Sequence, residues 1–175
     1  MDLKNIQIGD KAPVEVNAII EIPQGSAVKY EIDEATGALE VDRFISSDSV
    51  YPFNYGFIPE TLADDGDALD VMVISSLPVE PESVIAVKSI GVLWMEDEHG
   101  KDEKILAVPI GEVDPFYAHV DDLSGIDLPT QERIKLFFKQ YKEMEANRWS
   151  QVGSFGNKSE AQQAIKVAME KHLKN

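Results

Sequence analysis

The chain has 175 residues, 43% of them hydrophobic, which is enough to bury the core of one domain expected to span residues 1–175. Thirty-two acidic residues against sixteen basic ones give a formal charge of −16, which repels a phosphate backbone and argues against a nucleic-acid partner. Cysteine is absent, which excludes disulfides, thiolate metal sites and a cysteine nucleophile. Residues 1–6 lack the apolar run of a signal peptide and no stretch is long enough to span a bilayer, so a cytoplasmic protein without a membrane partner is expected.

The first two-thirds of the chain reads as short strands. Residues 18–22 are mostly apolar, while residues 28–33 alternate apolar with charged side chains, which places Lys29 and Glu31 on one face. Residues 34–37 read as a turn into a second strand at 39–44, completing a hairpin. Tyr51, Phe53 and Tyr55 fall at strand alternation, which suits an aromatic core ridge. Residues 71–74, 84–87, 90–94 and, after a turn at Gly100, 105–108 are further strands. So many short strands predict a small closed barrel.

The period then changes. Ile134, Phe137, Phe138, Tyr141 and Met144 fall on one helical face, with Asp127 or Thr130 near the helix start and Pro129 in its first turn. Ala161, Ala164, Ile165, Ala168, Met169 and Leu173 form a second stripe, and Ser159 with Gln162 reads as its capping box. The expected class is therefore mainly β (α+β), a barrel with two flanking α-helices.

Carboxylates gather most densely at Asp64, Asp65, Asp67 and Asp70, just before the apolar run 71–74. Asp70 has the opposite strand parity to Asp65 and Asp67, so the three converge only if the chain bends between them, and Gly66 permits the bend. An EF-hand is excluded by position: counted from Asp65, Asp70 stands where Gly belongs and Ser76 where Glu belongs. An ordinary solvated acidic turn is the alternative. Oxygen-only ligands point to Mg²⁺ or Mn²⁺. A second acidic cluster runs from Glu96 to Lys104 across a hairpin turn, where Asp102 and Lys104 point the same way; it reads as an ordinary charged turn unless Asp97 and Asp102 face Asp70 across the barrel mouth. Lys29, Arg43, Lys104 and Lys142 are candidate phosphate cations, with Tyr51, Tyr55 and Tyr141 as hydroxyl donors. Nucleophile-elbow, Walker, dinucleotide-binding and zincin motifs are missing, and His99, His119 and His172 are too scattered for histidine chemistry, with His99 read as a turn residue.

Taken in order, residues 20–23, 29–31, 41–44, 51–56 and 65–71, Asp97, Asp102, Lys104, Tyr141 and Lys142 resemble the soluble family I inorganic pyrophosphatases, in the short bacterial form. Ala68 departs from that family's acidic signature, which usually has Pro there. The resemblance implies a five-stranded OB-like closed barrel and a homohexamer. It further implies Asp65, Asp70 and Asp102 as ligands of a first metal, and Asp70 as a bridge to a second. Glu21, Glu31, Asp97 and Asp102 would serve further Mg²⁺ ions, Asp67 would be the general base, and Tyr55 would lie near the catalytic water. Lys29, Arg43, Lys104, Tyr141 and Lys142 resemble the phosphate-binding set.

The implied reaction is hydrolysis of inorganic pyrophosphate to two orthophosphates by a metal-bridged water or hydroxide. Several Mg²⁺ ions per site are expected, with Mn²⁺ or Zn²⁺ as substitutes and Ca²⁺ as an inhibitor. Cations are needed on electrostatic grounds, because two like charges about 4 Å apart repel by roughly 4 kcal/mol at an effective dielectric near 20. Two rival readings are a non-catalytic OB-like module for single strands, with the Tyr51/Phe53/Tyr55 ridge as a stacking platform, and a hydrolase of nucleoside di- or triphosphates.

Overall fold

A computed structural model describes residues 5–33, 36–45, 48–98, 100–142 and 149–174. Residues 1–4, the turn residues 34 and 35, His99 and Met144 lie outside the described residues. The strands are β1 (Glu15–Ile22), β2 (Val28–Ile32), β3 (Leu39–Phe44), β4 (Asn54–Ile58), β5 (Leu69–Val73), β6 (Val84–Asp97), β7 (Gly100–Lys101), β8 (Lys104–Pro109) and β9 (Ser150–Gly156), and the helices are α1 (Leu128–Gln140) and α2 (Lys158–His172).

Hydrogen bonding runs β1-β4-β5-β8-β6 and returns from β6 to β1, closing a five-stranded barrel. Only β5 and β8 pair in parallel within this ring, so the barrel is mixed. The predicted hairpin β2–β3 forms its own two-stranded sheet. Closure draws β1 and β4 so near that a Cβ on Gly56 would lie 1.9 Å from the Ile19 carbonyl oxygen, so glycine is required there.

Residues 84–97, expected as two strands, form one. The polar pair Lys88-Ser89 looks like a break in the apolar pattern, yet Ser89 is fully buried and its hydroxyl donates to the Pro13 carbonyl at 2.9 Å. Lys88 reaches out to the Ala118 carbonyl at 3.0 Å. Strand β9 was not foreseen; its Ser- and Gly-rich sequence carries little apolar alternation, and it is held by antiparallel pairing to β6.

Strand parity divides the barrel wall into two faces. Leu69, Val71 and Val73 of β5 and Ile105 and Ala107 of β8 pack in one core with Ala161, Ala164, Ile165 and Ala168 of α2. Met72 and Leu106, on the alternate positions, pack in another with Ile134, Phe137 and Phe138 of α1 and with Tyr141 just beyond it. Asp70, Lys104 and Asp97 share the parity of this second face.

Helix α1 begins as expected, with the Asp127 carboxylate accepting from the Thr130 N–H at 2.9 Å and Pro129 in the first turn. It ends at Gln140, and Tyr141 is its C-cap. The capping box of α2 is Asn157 with Glu160 rather than Ser159 with Gln162. The reason is that Asn157 has extended backbone and accepts from the Glu160 N–H at 3.1 Å, while the Glu160 carboxylate accepts from the Asn157 N–H at 2.8 Å. Among the described residues, no helix is long and apolar enough to cross a membrane.

Candidate active site

Four of the five barrel strands contribute charge to one cleft at the α1 side. Glu21 is the penultimate residue of β1, Asp70 the second of β5, Asp97 the last of β6 and Lys104 the first of β8, while Tyr141 and Lys142 follow α1. The hairpin β2–β3 adds Lys29, Glu31 and Arg43, with Lys29 directly opposite Arg43. Every site residue predicted from the sequence lines one cleft of about 290 Å³: Glu21, Lys29, Glu31, Arg43, Tyr55, Asp65, Asp67, Asp70, Asp97, Asp102, Lys104, Tyr141 and Lys142.

The acidic loop joins β4 to β5. Thr61 pins its base, its hydroxyl donating to the Ile58 carbonyl at 2.5 Å and accepting from the Leu69 N–H at 2.9 Å. Gly66 takes the left-handed φ of +98° that the bend requires. Beyond it, the Asp67 N–H donates to the Asp65 carboxylate at 3.1 Å, and the Asp67 carbonyl accepts from Ala63 at 2.8 Å. Asp65 and Asp67 are exposed at the cleft mouth, whereas Asp70 stands deeper, on the barrel wall.

Ion pairs cross the floor. The buried Lys104 ammonium contacts both Asp70 and Asp102. Burial by itself would lower the Lys104 pKa, but the charges of Asp70 and Asp102 reverse that and raise it, so the side chain is a fixed cation. Lys142 donates to Asp97 at 2.7 Å and lies 3.6 Å from Glu98. Burial again opposes its charge, and Tyr141 and Asp97 overcome the penalty and raise its pKa. On the hairpin, Lys29 contacts Glu31 and lies 3.1 Å from Asp42, which also pairs with Arg43. Burial favours the neutral Asp42, but Lys29 and Arg43 outweigh it and hold the carboxyl below its usual range.

Glu21 differs from these pairs. Its carboxylate accepts the Ile32 N–H at 2.8 Å, yet burial, opposed by that bond and reinforced by nearby Asp70, pushes its pKa up to about 8. Asp102 is likewise raised, by burial first, against the pull of Lys104. This surplus of buried negative charge, with an all-oxygen donor set, fits hard divalent cations such as Mg²⁺. Among the described residues, no three carboxylates or histidines close on one point; Lys104 and Lys142 lie among them.

Tyrosines form the cleft's aromatic wall. Tyr51 packs 4.6 Å from Phe137 with the rings tilted, Tyr55 lies 6.1 Å from Phe138, and Tyr141 packs 5.4 Å from Phe137, all as ring-centroid distances. Burial raises all three phenol pKa values, so the hydroxyls stay protonated and can donate to an anion. Because Tyr51, Phe53 and Tyr55 are buried, the aromatic ridge offers no open face for base stacking.

Tyr51, a candidate hydroxyl donor from the sequence, lines the cleft too, and Tyr30, Asp42 and Glu98 join it with no role expected from the sequence. Asp42 escaped for a geometric reason. Lys29 pairs with Arg43 and Tyr30 with Val41, which leaves Asp42 as the extra residue of a β-bulge. Glu21 is bulged in the same way, between the pairs Ile20–Gly56 and Ile22–Tyr55. Strict two-residue alternation misplaces both side chains.

The profile of the inorganic pyrophosphatase family matches residues 18–173. The inorganic pyrophosphatase of Caulobacter vibrioides is 48% identical over 175 residues, covering 98% of each chain. That of Saccharolobus solfataricus is 45% identical over 163 residues, covering 93% of this chain and 95% of its own. The crystal structure of inorganic pyrophosphatase from Thermus thermophilus superposes with a TM-score of 0.95 at 37% identity, covering 99% of both chains. Fold, cleft and near-complete coverage agree, and the chain belongs to the inorganic pyrophosphatase family.

Proposed function

We propose that the chain hydrolyses inorganic pyrophosphate to two orthophosphates in a Mg²⁺-dependent reaction with Asp67 as general base. The observation that carries this reading is the facing of Lys29, Arg43, Lys104 and Lys142 with nine carboxylates in one cleft of about 290 Å³. Asp65, Asp70 and Asp102 would hold the resident cations, and Glu21, Glu31 and Asp97 those that accompany substrate. When bound, Mg²⁺ supplies Lewis acidity toward water and neutralises phosphoryl charge.

The protein's own groups divide the remaining work. Lys29 and Arg43 sit opposite one another on the hairpin, spaced to take one phosphoryl group, and Lys104 and Lys142 approach from the barrel and from the end of α1. Tyr141 donates a phenolic hydrogen bond to the substrate, and Tyr55 lies near the attacking water. Asp67, exposed at the mouth and held by its own turn, accepts the proton of the attacking water at its carboxylate. Preorganised cations around the transferring group lower the barrier without reorganising as charge moves.

A homohexamer in the cytoplasm completes the reading, and exposed Leu128 and Leu136 on α1 give such an assembly apolar surface to bury. Phosphate release from pyrophosphate and from ATP, measured with Mg²⁺ and with excess EDTA, tests the proposal. Release from pyrophosphate that depends on metal supports it; equal turnover of ATP, or turnover indifferent to EDTA, refutes it. Sedimentation of the same sample reads the assembly.

A further inference from the structure

We propose that Lys104 is a built-in counter-ion, displaced by the divalent cation that binds Asp70 and Asp102, and that this displacement makes its ammonium available to a phosphoryl group. The inference rests on the functional reading above and concerns the order in which the site is filled. Lys104 is only 3% exposed, and its Nζ contacts Asp70 and Asp102, two of the three carboxylates assigned to the resident cations. One ammonium thus stands between two of the groups that a metal must engage. Its charge is already balanced by two carboxylates, so it offers an incoming anion little net attraction.

The stem of Lys104 favours an exchange of partners over loss of charge. It is buried beside Tyr55, with Nζ 5.9 Å from the ring centroid, so the ammonium has an aromatic face to rest on when it leaves the carboxylates. Tyr141 and Lys142 line the same cleft, so a short movement of Nζ keeps it within the anion site. A cation at Asp70 and Asp102 and an anion at Lys104 then favour each other, and linkage makes the coupling reciprocal. Before metal enters, Lys104 keeps two carboxylates together that would otherwise repel.

Titration of Mn²⁺ alone, followed by electron paramagnetic resonance, separates this role from simple packing. Lys104→Met keeps the stem and removes the competing charge; it should bind Mn²⁺ about tenfold or more tightly than wild type. Lys104→Arg keeps the charge and should stay near the wild-type Kd. Equal or weaker binding by Lys104→Met overturns the proposal. Should that variant not fold, Mg²⁺ titration of the wild type labelled with ¹³C at lysine Cε decides: the Lys104 resonance, assigned with Lys104→Arg, should shift saturably with metal alone. An unmoved resonance overturns the proposal. A wild-type protein that binds no Mn²⁺ refutes the metal reading itself, a result distinct from an unchanged Kd in Lys104→Met.

Discussion

The two faces of the barrel wall are built from the same strands and have opposite characters. Toward α2, β5 and β8 present Leu69, Val71, Val73, Ile105 and Ala107, and the helix answers with alanines and Ile165. Toward α1, the intervening positions of those strands run from Met72 and Leu106 to Asp70 and Lys104 within one residue pair. Alternation therefore lets a single strand serve stability on one side and chemistry on the other, with no separate element needed for either. A substitution should be felt in turnover or in stability according to the parity of its position.

The largest expected effect is on the chemical face. Asp67→Asn should lower steady-state phosphate release by about 10²–10⁴-fold, and because Asp67 is exposed, denaturation should show a change within about 0.5 kcal/mol. A large loss of stability would show that the division of labour does not hold. Next, Ile165→Ala removes a fully buried side chain from the α2 core and should cost about 2–5 kcal/mol in urea unfolding. Activity per folded molecule should be retained; a matching fall in kcat would mean the two faces are coupled.

A subtler effect belongs to Glu21. Burial and the nearby Asp70 raise its pKa from 4.5 to about 8. Without metal, the folded state therefore holds this proton where the unfolded chain has lost it. The contribution to stability is complete below about pH 4.5 and disappears as pH rises through about 8. In chelator, Glu21→Gln should gain in Tm over wild type between about pH 5 and about pH 8. A constant gap would show that Glu21 is charged throughout. Smallest of all, Ala68→Pro should stabilise the acidic loop by about 0.5–1 kcal/mol, read as a shift in Tm with pyrophosphate turnover unchanged; destabilisation would show that the loop backbone cannot accept the fixed φ.

Much of this arrangement is legible in the residues because it depends on local rules. Alternation pairs Lys29 with Glu31, the 3.6-residue period finds the face of α1, and the parity of Asp70 against Asp65 and Asp67 demands the bend that Gly66 makes. What is not legible is set by contacts far apart in the chain. Strand β9 carries a weak pattern of its own and exists through its pairing with β6. Asp42 sits at a bulge, whose extra residue is defined by the partner strand. The cap of α2 shows a nearer limit: two overlapping cap signals lie within residues 157–162, and only backbone geometry selects Asn157.

Ring closure by β6 has a further consequence, in time rather than space. Glu15 pairs with Lys88, and β6 must also take β8 alongside before the ring is complete. Such pairings carry a high loop-closure cost and slow folding, and a nascent chain cannot make them until residues up to Pro109 have emerged. Glu21 on β1 and Lys104 on β8 meet in one cleft only after that event. A chain synthesised only to Val73 therefore holds Glu21, Asp65, Asp67 and Asp70 without Lys104, Tyr141 or Lys142, so the acidic part of the site precedes the cations of its floor.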